Sequence, residues 1–237
     1  MLPLKDTQKI SIFPIATISI ILINVLIFIA MYVAAYSSPK PQYSLALTYV
    51  KYGLVPFELT KREIIYPTIR PVWLTLFTSM FIHGGFGHIL GNMWFFWIFG
   101  NNVEDYLGSV KFVLFYIAGG VAAALTQIAI NPLSKVPVIG ASGAIAAVMG
   151  AYFYLFPRSK IKTLIYALYF ITFVEIPAPF FLLIWFLMQL IPGLTPSGAS
   201  QGVAFWAHIG GFVFGVLVAM LIKKIRGNRT YGGYYYG

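Results

Sequence analysis

The chain of 237 residues has no cysteine, and only 9% of its residues carry charge. Without cysteine, thiol catalysis, disulfides and cysteine-ligated zinc or iron–sulfur centres are excluded. So little charge excludes a soluble single domain, in which roughly a quarter of residues are charged. The 59% hydrophobic content excludes disorder. Carboxylates are equally scarce: Asp6, Glu58, Glu63, Glu104, Asp105 and Glu175 are all there are, each in a loop or near the end of an apolar run. Histidines number three, His83, His88 and His208. Neither a metal nor another cofactor is expected.

What is present is apolar sequence in long runs, enough for six to eight membrane spans at roughly 20 residues each. Residues 14–36 form the first run. Residues 37–72 mix Pro, Lys, Arg and Tyr and read as a long structured loop. A short apolar piece, 73–81, leads to the second run at 86–103 and the third at 110–130. A fourth helix starts at Ser142 and stops before Pro157. Its fifteen residues make about 22 Å, against a hydrocarbon core of about 30 Å. It cannot reach both faces, so its N-terminus should lie below the surface. Residues 163–191 are too long for one span and too short for two. The prolines at 177 and 179 divide them into an interfacial or tilted lead-in, 161–174, and a fifth span, 177–192. A Gly/Pro/Ser loop, 192–202, precedes a sixth span at 203–222.

The expected fold class is therefore an all-α polytopic membrane protein with six transmembrane helices and a short central fourth. Residues 1–13 read as a cytoplasmic N-terminus, 14–224 as the membrane domain and 225–237 as a flexible Gly/Tyr-rich cytoplasmic tail. With the N-terminus inside, Lys5, Lys9, Lys111, Arg158, Lys160, Lys162, Lys223, Lys224, Arg226 and Arg229 fall on the inner side. The short outer loops hold Lys135 alone, and the long first loop adds five basic residues outside. Short loops weigh most, which supports both termini inside. The net charge of +10 then faces anionic lipid, and no nucleic-acid partner is expected.

Polar residues inside spans are costly and demand an account. Ser142, in Gly140-Ala-Ser-Gly143, opens the fourth helix. It reads either as a cap or small packing residue, or as a nucleophile whose neighbouring free N–H groups can hold an oxyanion. His208 lies beside a stripe of small residues (Ala207, Gly211, Gly215) in the sixth span. Gly143, Ala146, Ala147 and Gly150 form a similar face on the fourth. Two such faces can bring backbones close and His208 within reach of Ser142. A neutral imidazole suits the role of base. His88 and Asn92 are i and i+4 on one helix face: a mutually satisfied pair, or two donors for developing negative charge. His83, before two glycines, reads as structural.

The order and placement of His83-Gly-Gly-Phe-Gly-His88-Ile-Leu-Gly-Asn92, Gly140-Ala-Ser142-Gly143 and Ala207-His208-Ile-Gly-Gly211-Phe-Val-Phe-Gly215 resemble the rhomboid intramembrane serine proteases over roughly residues 14–224. The resemblance implies a water-filled cavity open to the outer side, with Ser142 as nucleophile and His208 as base and acid. It places an oxyanion site at His88, Asn92 and the Ser142 N–H. Gly143, Gly150, Gly211 and Gly215 would pack the helices. Loop 193–202 would cap the site, the fifth span would be a lateral gate, and Glu104 would be structural. Two features depart from many members. Arg70-Pro-Val-Trp73 replaces a Trp-Arg pair, and Ala146 stands where some carry an aromatic against the catalytic histidine. Orientation of His208 would then fall to Trp206 or Phe95.

The function so implied is serine endopeptidase cleavage of transmembrane protein substrates within the bilayer, through an acyl-enzyme. A monomer suffices for that chemistry, and the sequence leaves oligomeric state open. A non-catalytic rhomboid-like binder of membrane helices is the alternative. A small-solute channel is disfavoured, since no span carries a carboxylate relay. A prokaryotic plasma membrane is the expected location.

Overall fold

The computed structural model describes residues 2–167, 170–194 and 204–226. The expected cap loop falls mostly, and the Gly/Tyr tail almost wholly, outside the described residues. Nine α-helices and three strands follow along the described chain. The helices are α1 (Ile15–Tyr36), α2 (Pro41–Tyr52), α3 (Pro56–Lys61), α4 (Thr75–Thr78), α5 (Phe86–Leu107), α6 (Ser109–Ile130), α7 (Ser142–Leu155), α8 (Ala178–Gly193) and α9 (Phe205–Arg226). The strands are β1 (Leu2–Asp6), β2 (Lys160–Ala167) and β3 (Phe170–Pro177). The first loop is structured by α2 and α3, each entered through a proline in its first turn, where the missing N–H costs nothing.

Among the described residues three helices, α1, α6 and α9, are long and apolar enough to cross a membrane. The expected count of six spans is not confirmed by these lengths. Helix α5 is as long, at 22 residues, but carries Asn101, Asn102, Glu104 and Asp105 in its last turns. Helices α7 and α8 have 14 and 16 residues, or about 21 and 24 Å. Helix α7 is apolar all round, and Gly143 to Tyr152 are buried without a break. Such a helix has no solvent face to offer and must be ringed by others. It touches α5, α6, α8 and α9.

The all-α expectation is corrected by a three-stranded antiparallel sheet in the order β1-β2-β3. The stretch 161–174, read as an interfacial or tilted lead-in, is instead part of the hairpin β2–β3, paired from Lys160↔Pro177 to Ala167↔Phe170. Its composition explains this: Thr163, Ile165, Tyr166, Ile171, Thr172, Phe173, Val174 and Ile176 are β-branched or aromatic, and such side chains pack well on a pleated surface. Strand β1, from the stretch placed outside the membrane domain, completes the sheet with Leu2↔Leu164 and Asp6↔Ile161.

Glu104 ties the C-terminal end of α5 to the start of α1. The carboxylate is fully buried. It accepts hydrogen bonds from the Ala16 and Thr17 N–H groups at 2.9 and 2.7 Å. The Thr17 and Ser109 hydroxyls donate at 2.7 and 2.6 Å. These satisfy free donors at a helix start, where negative charge is also favoured. The structural role expected of Glu104 fits these contacts. Nearby, Asp6 Oδ2 accepts from the Tyr152 hydroxyl at 2.6 Å and the Asn102 amide at 2.9 Å. Burial pushes the Asp6 carboxyl up from 3.8 to about 6, against the opposing effect of those donors.

Candidate active site at the start of the short helix

Ser142 is the first residue of α7, preceded by Ala141 in helical conformation with no side-chain cap. The first bond of the helix runs from the Ile145 N–H to Ala141 O at 3.0 Å. The N–H groups of Ser142, Gly143 and Ala144 are thus those that a helix start leaves without an intrahelical acceptor. The Ser142 hydroxyl does not cap the helix. Its Oγ lies 2.7 Å from His208 Nε2, which favours the second of the two readings open from sequence.

The backbone contact of α7 with α9 sets that distance. A Cβ added to Gly215 would stand 2.7 Å from the Ala147 carbonyl carbon and collide with its oxygen. One added to Gly150 would stand 2.9 Å from the Phe212 carbonyl carbon, and one on Gly211 would strike Gly143 O. Gly143 faces elsewhere: its Cβ would meet Ala123 of α6 at 2.7 Å. An added Cβ at each of these four glycines would meet a neighbouring helix, for three of them across the α7–α9 contact.

Ser142 and His208 share a cavity of about 450 Å³ with His88, Asn92 and Gln127. The Gly84 N–H donates to His88 Nδ1 at 3.2 Å, which leaves the proton of a neutral ring on Nε2. Nε2 packs against Gly140, where a Cβ would come within 2.7 Å of it. Gly140 also has φ +119°, a conformation open to glycine. The loop before Ser142 therefore requires glycine on two counts. The Asn92 amide donates to His88 O at 2.8 Å, which uses one of its two hydrogens. His83 is fully buried, and its Nε2 accepts from the Ala141 N–H at 3.5 Å. It braces the loop from behind, in keeping with a structural role.

The expected orienters of His208 are replaced. Phe95 lines the cavity, but the rings flanking the imidazole are Trp185 and Phe205, with centroids at 6.0 and 6.4 Å. The polar partner of His208 Nδ1 is Gln189 Oε1 at 2.9 Å. Gln189 was missed on sequence, although it is the only amide or charged residue of α8. The expense of polar groups within apolar helices was the signal that marks it.

Among the described residues no three His, Cys, Asp or Glu side chains converge as a metal site. The arrangement offers a hydroxyl on an imidazole, free backbone donors and a cavity beside them. Those are the components of acyl transfer.

The sequence model of the Rhomboid domain matches residues 70–225. Rhomboid protein 1, mitochondrial, of Saccharomyces cerevisiae is 29% identical over 156 residues, covering 64% of this chain and 42% of that protein. Rhomboid protease GlpG of Haemophilus influenzae is 34% identical over 143 residues, covering 60% of this chain and 65% of that one. Putative rhomboid protease YdcA of Bacillus subtilis is 35% identical over 83 residues, covering 35% of this chain and 41% of that protein. The chain thus spans less than two thirds of the length of these relatives, which come from bacteria and from mitochondria.

Proposed function

The chain belongs to the rhomboid family, and on that premise we propose that it is an intramembrane serine endopeptidase acting on transmembrane proteins. The observation that carries the reading is the 2.7 Å contact between Ser142 Oγ and His208 Nε2 at the mouth of a helix start. In the proposed reaction His208 Nε2 takes the hydroxyl proton as Oγ attacks the substrate carbonyl carbon. The negative charge that develops on the carbonyl oxygen is met by the Ser142 N–H, with the His88 Nε2–H and the spare Asn92 amide hydrogen as further donors. The imidazolium then gives its proton to the leaving amine nitrogen, and the peptide bond breaks to leave an ester on Ser142. Water entering through the cavity repeats the sequence and frees the acid.

A peptide bond inside a helix is shielded, so the substrate must unwind locally, and Gly or Pro near the cut lowers that cost. The charge distribution supports a site reached from the outer side with both termini inside. The 14–224 membrane domain and the fifth-span gate belong to this same proposal. So does the monomer as a sufficient catalytic unit. A plasma-membrane or organellar setting fits the relatives equally well.

The test is active-site labelling by a fluorophosphonate, together with cleavage of a model transmembrane substrate by purified protein in detergent. Ser142→Ala and His208→Ala abolish both. Cleavage by Ser142→Ala at the wild-type rate overturns the serine mechanism, whereas a wild type that neither labels nor cleaves leaves the non-catalytic helix binder standing. Asn92→Ala lowers turnover by roughly 10- to 1000-fold if its amide meets the oxyanion.

A further inference from the structure

A glutamine amide has one end that only accepts hydrogen bonds and one that only donates. At Gln189 the donor end is committed: Nε2 donates to the Trp185 carbonyl oxygen one turn earlier, at 3.3 Å. A carbonyl can only accept, so this contact fixes which way the amide points. The acceptor end, Oε1, then faces His208 Nδ1 at 2.9 Å. An acceptor opposite Nδ1 requires the ring proton there. A neutral imidazole carries a single N–H, so Nε2 is left as a lone pair, 2.7 Å from Ser142 Oγ. That is the tautomer in which His208 can act as a base toward serine.

We propose that Gln189 is the positioning residue that selects the reactive tautomer of His208, taking the place a carboxylate holds in a Ser-His-Asp triad. The proposal rests on the Ser142–His208 reading. It explains how the histidine is oriented with Ala146 where an aromatic would otherwise stack, and with no carboxylate among the residues lining the cavity. A neutral amide does the orienting without placing a charge among apolar helices. The same bond gives α8 a hold on the chemistry. Ser142 and His208 sit on α7 and α9, whose backbones are in direct contact. Gln189 sits on α8, whose other face is exposed at Leu183, Leu187, Met188 and Ile191. A displacement of α8 leaves the Ser–His distance intact and releases the tautomer.

The experiment compares Gln189→Leu and Gln189→Glu with wild type and Ser142→Ala, by kinetics on a transmembrane substrate and by 15N NMR of histidine-labelled protein in micelles. His208 is assigned by the signal lost in His208→Ala. In wild type the His208 proton sits on Nδ1. Gln189→Leu frees the ring to populate both tautomers and lowers kcat by about 10-fold with KM changed less than about 2-fold. The ceiling is the roughly 10⁴-fold loss of a triad locked in the wrong tautomer. Gln189→Glu restores the acceptor, and with it the Nδ1–H tautomer and most of kcat. Its carboxylate also favours the imidazolium, which moves the acid limb of the pH–rate profile to higher pH. His88, the other histidine lining the cavity, is unchanged in both variants.

A Gln189→Leu protein that keeps wild-type kcat, or that loses kcat while His208 holds its proton on Nδ1, overturns the proposal. Should Gln189→Leu fail to fold, the near-isosteric Gln189→Glu carries the test, and an acid limb at the wild-type position overturns it. Activity surviving in Ser142→Ala sinks the serine mechanism itself. A dead Ser142→Ala beside an unaffected Gln189→Leu sinks only the role of Gln189.

Discussion

Replacing Gly215 by alanine adds one methyl group two turns below His208, away from the cavity. The added carbon would stand 2.7 Å from the Ala147 carbonyl carbon, whereas non-bonded carbons settle at about 3.5 Å or more. The obstacle is backbone, which has no rotamer to turn aside. Helix α9 must therefore back away from α7 by about 1 Å. Added to the Ser142–His208 contact of 2.7 Å, that shift carries the pair past the usual hydrogen-bond limit of about 3.2 Å. A misplacement of about 1 Å can cost on the order of 10²-fold in rate. Stability should respond far less. Overpacking costs about 1–3 kcal/mol, and alanine returns roughly 0.5–1 kcal/mol of it through its helix propensity. The expected signature is a fluorophosphonate labelling rate down by about 10²-fold in a protein that melts within a few degrees of wild type. Val213→Ala, on the exposed face of the same helix, serves as the control and labels normally. A Gly215→Ala protein that labels at the wild-type rate would refute the claim that backbone contact sets the dyad distance.

Two further outcomes follow from the buried carboxyls at the C-terminal end of α5 and in β1. Glu104→Gln keeps the shape but turns an amide donor toward groups that are themselves donors, and should cost about 3 kcal/mol from the charge-assisted bonds lost. Melting in detergent checks it, with labelling at low temperature unchanged; an unaltered melting point would refute it. Asp6 is held up at about 6 by burial, from 3.8. Its protonated form therefore favours the fold, fully below pH 4, and the benefit is lost as pH rises through 6. Asp6→Asn should gain stability relative to wild type by up to about 3 kcal/mol between pH 4 and pH 7.5. Denaturation at both pH values checks this, and a pH-independent difference would refute it.

The helices were legible because each signal was local. Pro157 stops α7 within two residues of where the chain stops it, and small residues every four positions marked the α7–α9 face. Ser142, His208, His88 and Asn92, each marked by its polarity in an apolar run, line one cavity. The hairpin β2–β3 was lost because its apolar run matched a helix by length, while its β-branched residues argued the other way. Strand β1 was illegible for a different reason. Its partners lie 155 to 162 residues further on, and no pattern in five residues announces such a pairing. Gln189 was visible as a lone amide in an apolar helix. Its meaning needed the geometry of α9.

That distant pairing of β1 with β2 has a consequence for assembly. Strand β1 leaves the ribosome before α1, yet its partner exists only after α1 to α7 have been made. Closing so long a loop adds little entropy cost beyond that of a shorter one, since the cost grows as the logarithm of length, but it delays the event. Until then β1 has other anchors: the Trp94 indole donates to Pro3 O at 2.6 Å, and the Asn102 amide holds Asp6. The first strand can thus dock on α5 early and wait there as the template on which the hairpin forms. The sheet is then the last seam to be sewn on that side of the molecule, and a chain arrested after α7 would carry an open strand edge.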